Sequence, residues 1–499
     1  MNQSFGIPGN RSFLKALKKV LAGVLIVIVG LVFLSLEALA FELSKKSRIT
    51  PFVEVRETFD DNVFLLSDGE PLPVNAKSKD DSIFNLSAGV GLDVDITRFL
   101  TLGLGYRMDY QNYTNNDEND QFIHALELKA DIGKRAYFKR LTINIKENLT
   151  TVPIDTTQAL LPGNKTFRNE FQITPSYRII DTKRTFFDAG YSYRRVDYTK
   201  NTVQLTSTPL VTETTQVVSN SQSHGGVFNF GYILNPRLRF VTDYNISRLL
   251  REEPKPNEIV DPRTRADITR QRLTSGVDFK LSPRWSGLAK IGFETNSFSA
   301  VEFVDPTTGQ VQKIDQRDRS GFAANFGLNF NISVRSNLTL TYDRFFSEND
   351  FGETLETDNV VSRLVLRLGD NARTSLAFNY RHETRELIQT PVTTPGIATG
   401  NDSASSVEFA GDIEYMFTEK IRTFGGYKIS NRQFFSEIFF DPTRGAREDT
   451  NQTFNVGAGY SLTRYLSINA NYEFIHNNSN FDIDDYNVNR FSIFSRANF

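Results

Sequence analysis

The sequence predicts an all-β protein: a transmembrane, antiparallel, up-and-down β-barrel of about 20 strands, with about 18 as the alternative. Three observations predict it. From residue 48 onward the chain repeats segments in which apolar positions alternate with small or polar ones. Short and long connections alternate between those segments. After residue 40 no apolar helical stretch remains to cover the greasy face of so many strands. A closed barrel with lipid outside and water inside satisfies all three.

The N-terminus comes first. Arg11, Lys15, Lys18 and Lys19 precede an apolar run from Val20 to Leu36, and Ala38-Leu39-Ala40 follows with small residues at Ala38 and Ala40. This is the charge, core and cleavage-site order of a secretory signal. Residues 1–40 are therefore expected to be a signal peptide and 41–499 the barrel, with an uncleaved membrane helix as the alternative.

The strands show the period-two pattern directly. In 466–474, Leu466, Ile468, Ala470, Tyr472 and Phe474 fall on one face, and Ser467, Asn469, Asn471 and Glu473 on the other. In 82–96, Phe84, Leu86, Val90 and Leu92 oppose Asn85, Ser87, Gly89 and Gly91. In 321–330, Phe322, Phe326 and Leu328 oppose Gly321, Asn325 and Gly327.

Tight turns are expected around 96–98, 181–183, 235–236, 282–284, 333–337, 369–371, 418–420 and 462–464, where Asn, Asp, Gly, Pro, Ser and Thr collect. Longer polar connections lie at 65–80, 114–119, 151–165, 199–221, 250–267, 300–317, 347–355, 387–403, 436–448 and 478–487. Bacterial barrels have short periplasmic turns and longer external loops, which orients the chain. The first alternating stretch begins close behind the expected cleavage site, which argues against a receptor with a large N-terminal plug.

A charge on the lipid face near mid-membrane costs about 2–4 kcal/mol, so strand charges are expected to line the lumen. By phase these are Arg107, Asp109, Asp188, Arg194, Arg239, Asp243, Asp278, Lys280, Lys290, Glu294, Arg363, Arg367, Arg381, Glu383, Arg422 and Lys428. Aromatics at strand ends, such as Tyr106, Tyr110, Tyr191 and Tyr193, fit an interfacial girdle. Phe424, Tyr113, Phe439 and Phe440 are the candidates for stacking on sugar rings.

Composition sets the exclusions. The 499 residues include no Cys, which excludes a disulfide scaffold, Cys-ligated metal and a lipidated Cys. A net charge of -2 gives no basis for a nucleic-acid partner. Mean hydropathy is only -0.35, which suits strands that are half wet. The four histidines, His124, His224, His382 and His476, lie in different segments, and no catalytic motif accompanies them. No enzyme, cofactor or resident metal is expected. The acidic stretch from Asn115 to Asp120 and the run Asp482–Asp485 lack the spacing of a calcium loop and read as solvated charge.

Two segments carry resemblances. Glu57-Thr58-Phe59-Asp60-Asp61-Asn62-Val63-Phe64 resembles the opening motif of the β-barrel porin 2 family, with Phe59 where Tyr is usual and Val63 where Ile is. The resemblance implies an outer-membrane protein found with exopolysaccharide synthesis and export systems, including those associated with exosortase sorting. A periplasmic polysaccharide export protein would then be a partner. The C-terminal stretch, with Phe491, Ile493, Ala497 and Phe499 at alternate positions and Ser495 as a departure, resembles the signal read by the barrel-assembly machinery.

The expectation is an outer-membrane, porin-like barrel of a Gram-negative bacterium. It would sit in lipid and lipopolysaccharide and act as a passive conduit for polar solute or exported exopolysaccharide. The alternative is a surface-binding or structural barrel that works through its external loops.

Overall fold

The computed structural model describes residues 47–67, 69–72, 76–97, 100–133, 140–153, 165–199, 202–208, 211–216, 220–252, 259–260, 267–304, 311–314, 318–348, 354–384, 403–434, 447–481 and 485–499. The expected cleavage site at Ala38 and Ala40 lies outside them, as do Phe439 and Phe440 and residues 482–484.

Twenty strands close into one antiparallel barrel. They are β1 (Ser47–Asp60), β2 (Asp81–Thr97), β3 (Leu100–Tyr113), β4 (Gln121–Ile132), β5 (Leu141–Pro153), β6 (Lys165–Asp181), β7 (Thr185–Tyr198), β10 (Ser221–Asn235), β11 (Leu238–Arg251) and β13 (Ile268–Lys280). The second half is β14 (Trp285–Phe298), β17 (Arg319–Ser333), β18 (Ser336–Glu348), β19 (Thr354–Leu368), β20 (Ala372–Thr384), β21 (Ser403–Met416), β22 (Ile421–Phe434), β23 (Glu448–Ser461), β24 (Leu466–Ser479) and β25 (Tyr486–Asn498). Five short strands lie in the loops: β8 (Thr202–Thr208), β9 (Val211–Gln216), β12 (Ile259–Val260), β15 (Val301–Val304) and β16 (Val311–Ile314). β12 pairs with β9, so the loops after β7 and β11 are zipped together beyond the rim.

Four of the short turns share one device. A side-chain oxygen at the turn's start accepts backbone N–H bonds from the residues that open the next strand. Thr182 accepts from Arg184 and Thr185 at 3.3 and 2.8 Å, Ser282 from Arg284 and Trp285 at 3.2 and 3.1 Å. Thr418 accepts from Lys420 and Ile421, and Thr463 from Tyr465 and Leu466, at 3.0–3.2 Å. Each hydroxyl supplies the acceptor that a reversing chain has lost.

Directly paired residues point the same way, so the register sorts side chains onto two faces. One face carries Tyr106, Ile291, Phe322, Phe409 and Ile493, between 38% and 54% exposed. The other carries Glu54, Ser87, Glu294, Asn296, Asn469 and Ser492, at most 6% exposed. Curvature explains the difference, because side chains converge on a concave surface and splay on a convex one. Two contacts span an intervening strand on the polar face. Lys290 Nζ reaches Asp243 at 2.7 Å across β13, where the residue opposite Lys290 is Gly276. Arg422 passes over Gly459 to Asn469 at 3.3 Å. The polar face is therefore the lumen.

Ring closure joins β1 to β25, from Phe52 opposite Asn498 to Asp60 opposite Arg490. Thr58 and Ser492 share a buried hydroxyl bond at 3.0 Å, and Arg490 donates to Asp60 at 2.8 Å and Glu473 at 2.9 Å. Beyond the last pair the chain is still stitched. Asn489 donates through its backbone and side chain to the two oxygens of Asp61 at 2.6 and 2.7 Å. Asn62 is fully buried; its Nδ2 donates to the carbonyls of Leu66 and Asn487 at 2.8 and 3.0 Å, and its Oδ1 accepts from the Leu66 N–H at 2.9 Å. The Asp-Asp-Asn core of the opening motif thus binds the first strand to the last.

Candidate functional site

The lumen wall is the candidate site. Most of its strand charges are held in pairs. Arg107 donates to both oxygens of Asp109 at 2.9 Å, Arg178 grips Asp188 at 2.7 and 3.0 Å, and Arg194 meets Glu170 at 2.6 Å. Arg239 pairs with Asp278 and Arg381 with Glu383; Lys428 reaches Glu408 at 2.8 Å. Glu294 is 2% exposed and lies 3.5 and 3.6 Å from Arg270 and Arg272. Arg422 also sits 3.8 Å from Glu414. Lys280 donates its backbone N–H to the carbonyl of Arg237, and its ammonium has no partner among the described residues. By register Arg363 and Arg367 lie on the same face, on β19, and the remaining predicted lining residues share it.

Sequence phase alone left out the partners. Glu170, Arg178, Arg270, Arg272, Glu408 and Glu414 belong to the same wall. Their signal was available, since each keeps the phase of a neighbouring lumen charge.

The wall near the short turns is also aromatic. Phe52 lies against Gly89, Phe186 against Gly231 and Phe424 against Gly457; a Cβ at any of these glycines would fall 2.0–2.4 Å from the ring. The missing side chain is what lets each ring lie flat on the wall. Arginines cover three rings: Arg496 over Phe52 at 4.5 Å, Arg56 over Phe494 at 4.4 Å, and Arg178 and Arg239 over Phe186 at 5.1 and 5.5 Å. Phe424 has the lumen phase expected of it, opposite Glu414. Tyr113 is only 9% exposed at the loop end of β3, which leaves its ring without a free stacking face.

One hairpin leaves the wall. β17 and β18 pair only as far as Ala324 opposite Arg344, whereas β18 and β19 stay paired to Glu348 opposite Thr354. The Phe346 ring lies 3.2 Å from where a Cβ of Gly321 would stand, and Glu356 Oε1 lies 3.7 Å from it. Gly321 has the lumen phase, so the loop end of this hairpin leans over the inner face of β17 and buries Glu294 beneath it. Arg344, Tyr342, Asp358 and Glu356 bond to one another where it departs.

The four histidines all have the convex phase and lie near the loop ends of their strands. Tyr106 and Tyr191 hydroxyls contact Nδ1 of His124 and His224 at 3.0 and 2.6 Å, and His476 Nδ1 meets Asn487 Oδ1 at 2.7 Å. In the acidic loop, Asp120 accepts from the Tyr113 N–H, Asp117 pairs with Lys77, and Asn116 is buried against Asp81. Among the described residues no three acidic or histidine side chains converge as a metal site. Phe491, Ile493 and Phe499 of the C-terminal stretch are 40–46% exposed, and Phe491 and Ile493 lie on the convex face.

No family model matches the sequence, and no curated protein matches it. Solved barrels are similar in shape. The ferric enterobactin receptor of Pseudomonas aeruginosa is 9% identical at a TM-score of 0.49, over 91% of this chain and 80% of that one. The FrpB iron transporter from Neisseria meningitidis is 8% identical at 0.49, over 92% and 82%. OccAB4 of Acinetobacter baumannii is 10% identical at 0.39, over 91% and 99%. Likeness this slight establishes neither family nor substrate.

Proposed function

We propose that the protein is an outer-membrane channel of a Gram-negative bacterium that passes polar solute through its lumen. The observation that carries this reading is the division of the barrel into two faces. A convex belt of exposed Ile, Leu and Phe is stable only against acyl chains, and a concave wall of paired ions is stable only against water. A 20-stranded ring is too wide for side chains to fill. The finer reading is a conduit for exported exopolysaccharide, which rests on the resemblance of residues 57–64 to the β-barrel porin 2 motif.

Planar-bilayer recording on purified protein tests the channel. Discrete steps that rise with salt concentration are expected. A barrel that never conducts, with or without a periplasmic export partner, overturns it. The polymer reading is tested separately, by whether a deletion strain retains polysaccharide inside the cell.

The zipped loops after β7 and β11 favour a second reading, a surface-binding barrel. It expects removal of residues 199–221 to abolish function while conductance stays unchanged.

A further inference from the structure

The lumen cations divide into two kinds. Most point at a carboxylate. Arg363 and Arg367 on β19 and Arg373 on β20 have no ion pair or hydrogen bond from their guanidinium groups among the described residues. Three other lumen-phase cations, Arg48, Lys146 and Lys280, are also without one, but they are scattered over β1, β5 and β13. The β19–β20 group is concentrated. Arg367 and Arg373 stand directly opposite each other in the register, and like charges so placed repel. Arg363 has the same phase two pleats further along β19, about 13 Å away. The acid nearest in register is Glu414, opposite Arg373, and its carboxylate lies instead 3.8 Å from Arg422 on the far side.

An arrangement that costs the free barrel stability is explained by a ligand that relieves it. On β22, two strands from Arg373, Phe424 lies flat over Gly457 and opposite Glu414. The patch from β19 to β22 is about 14 Å across at ordinary strand spacing. It offers guanidinium forks at one side and, at the other, a half-buried phenyl ring that no arginine covers among the described residues. Guanidinium forks fit carboxylate, sulfate or phosphate oxygens in pairs. A phenyl face fits the apolar face of a sugar ring.

We infer that Arg363, Arg367, Arg373 and Phe424 form a lumen binding site for an acidic saccharide near the short-turn mouth. The site rests on the channel reading for its access but not for its chemistry.

Isothermal titration of the detergent-solubilised full chain tests it, with an oligogalacturonate as acidic saccharide and sodium sulfate as simple anion. The oligogalacturonate is expected to bind more tightly than sulfate. Its affinity is expected to fall at least about tenfold in the double variant Arg367→Gln/Arg373→Gln, and partly to survive in the double lysine variant. Phe424→Ala should weaken the saccharide and leave sulfate unchanged. Glu414→Gln should tighten both. Arg195→Gln, on the convex face, should do nothing. Equal binding by wild type and the double glutamine variant overturns the site, as does no binding of either probe. Sulfate bound as tightly as the saccharide overturns the sugar assignment. Unchanged mobility of unheated samples in gels shows that each variant is folded. A barrel that binds the saccharide and fails to conduct refutes the channel and leaves the site standing; one that conducts without binding does the reverse.

Discussion

The seam between β1 and β25 can be broken at one side chain. Asn62 is fully buried and its amide makes three hydrogen bonds, two donated and one accepted. At about 1 kcal/mol net for each, Asn62→Ala loses about 3 kcal/mol, and stranding the Leu66 amide adds to it. The expected loss is about 3–4 kcal/mol, more than a hundredfold in the folding equilibrium. Asn62→Asp is the sharper test. It keeps the shape and the acceptor, but turns an oxygen toward the carbonyls of Leu66 and Asn487, 2.8 and 3.0 Å from the lost donor. It also sets a second carboxylate beside Asp60, which accepts the Asn62 N–H at 2.9 Å. Asn62→Asp is therefore expected to be at least as damaging as Asn62→Ala. Urea unfolding of the barrel refolded into short-chain lipid vesicles, followed by tryptophan fluorescence and by gel mobility without heating, measures both. If Asn62→Asp unfolds at the wild-type urea concentration, the latch does not hold the seam.

Three further outcomes follow from the wall. Gly292→Ala places a Cβ 1.8 Å from the Leu273 carbonyl, whereas at Gly105 the nearest atom is 3.8 Å away; refolding yield should collapse for the first and hold for Gly105→Ala. Ile291→Lys on the convex face should cost about 2–4 kcal/mol by vesicle unfolding, while Thr341→Lys on the lumen face should cost under about 1 kcal/mol. Gly321→Val should push the Phe346 ring off β17, and single-channel conductance should rise if the hairpin narrows the passage.

Local chemistry made most of the fold legible. Alternation assigned Phe322 and Phe326 to one face and Asn325 to the other, and loop composition separated the two ends of the ring. The strand number followed from counting connections. Pairs two residues apart on one strand, such as Arg107 with Asp109, share a phase and could be read; the cross-strand pairs were not legible, because partners such as Arg178 and Asp188 come from neighbouring strands whose register the chain does not state. The inward lean of the β18–β19 hairpin was hidden for a similar reason. It depends on Gly321 meeting Phe346, two residues that alternation treats as ordinary members of their strands. The Asp-Asp-Asn motif was visible as a resemblance, but its work at the seam needs Asn487 and Asn489, more than 420 residues away.

The hydroxyl-capped turns make each hairpin self-sufficient at one end. Reversal at Thr182, Ser282, Thr418 or Thr463 is encoded within a few consecutive residues and owes nothing to distant parts of the wall. A two-strand unit of this kind can be duplicated or deleted as a block, leaving its neighbours to re-pair around a wider or narrower ring. Change of bore is then a matter of copying such blocks, while recognition evolves separately, in the side chains that each new block turns inward.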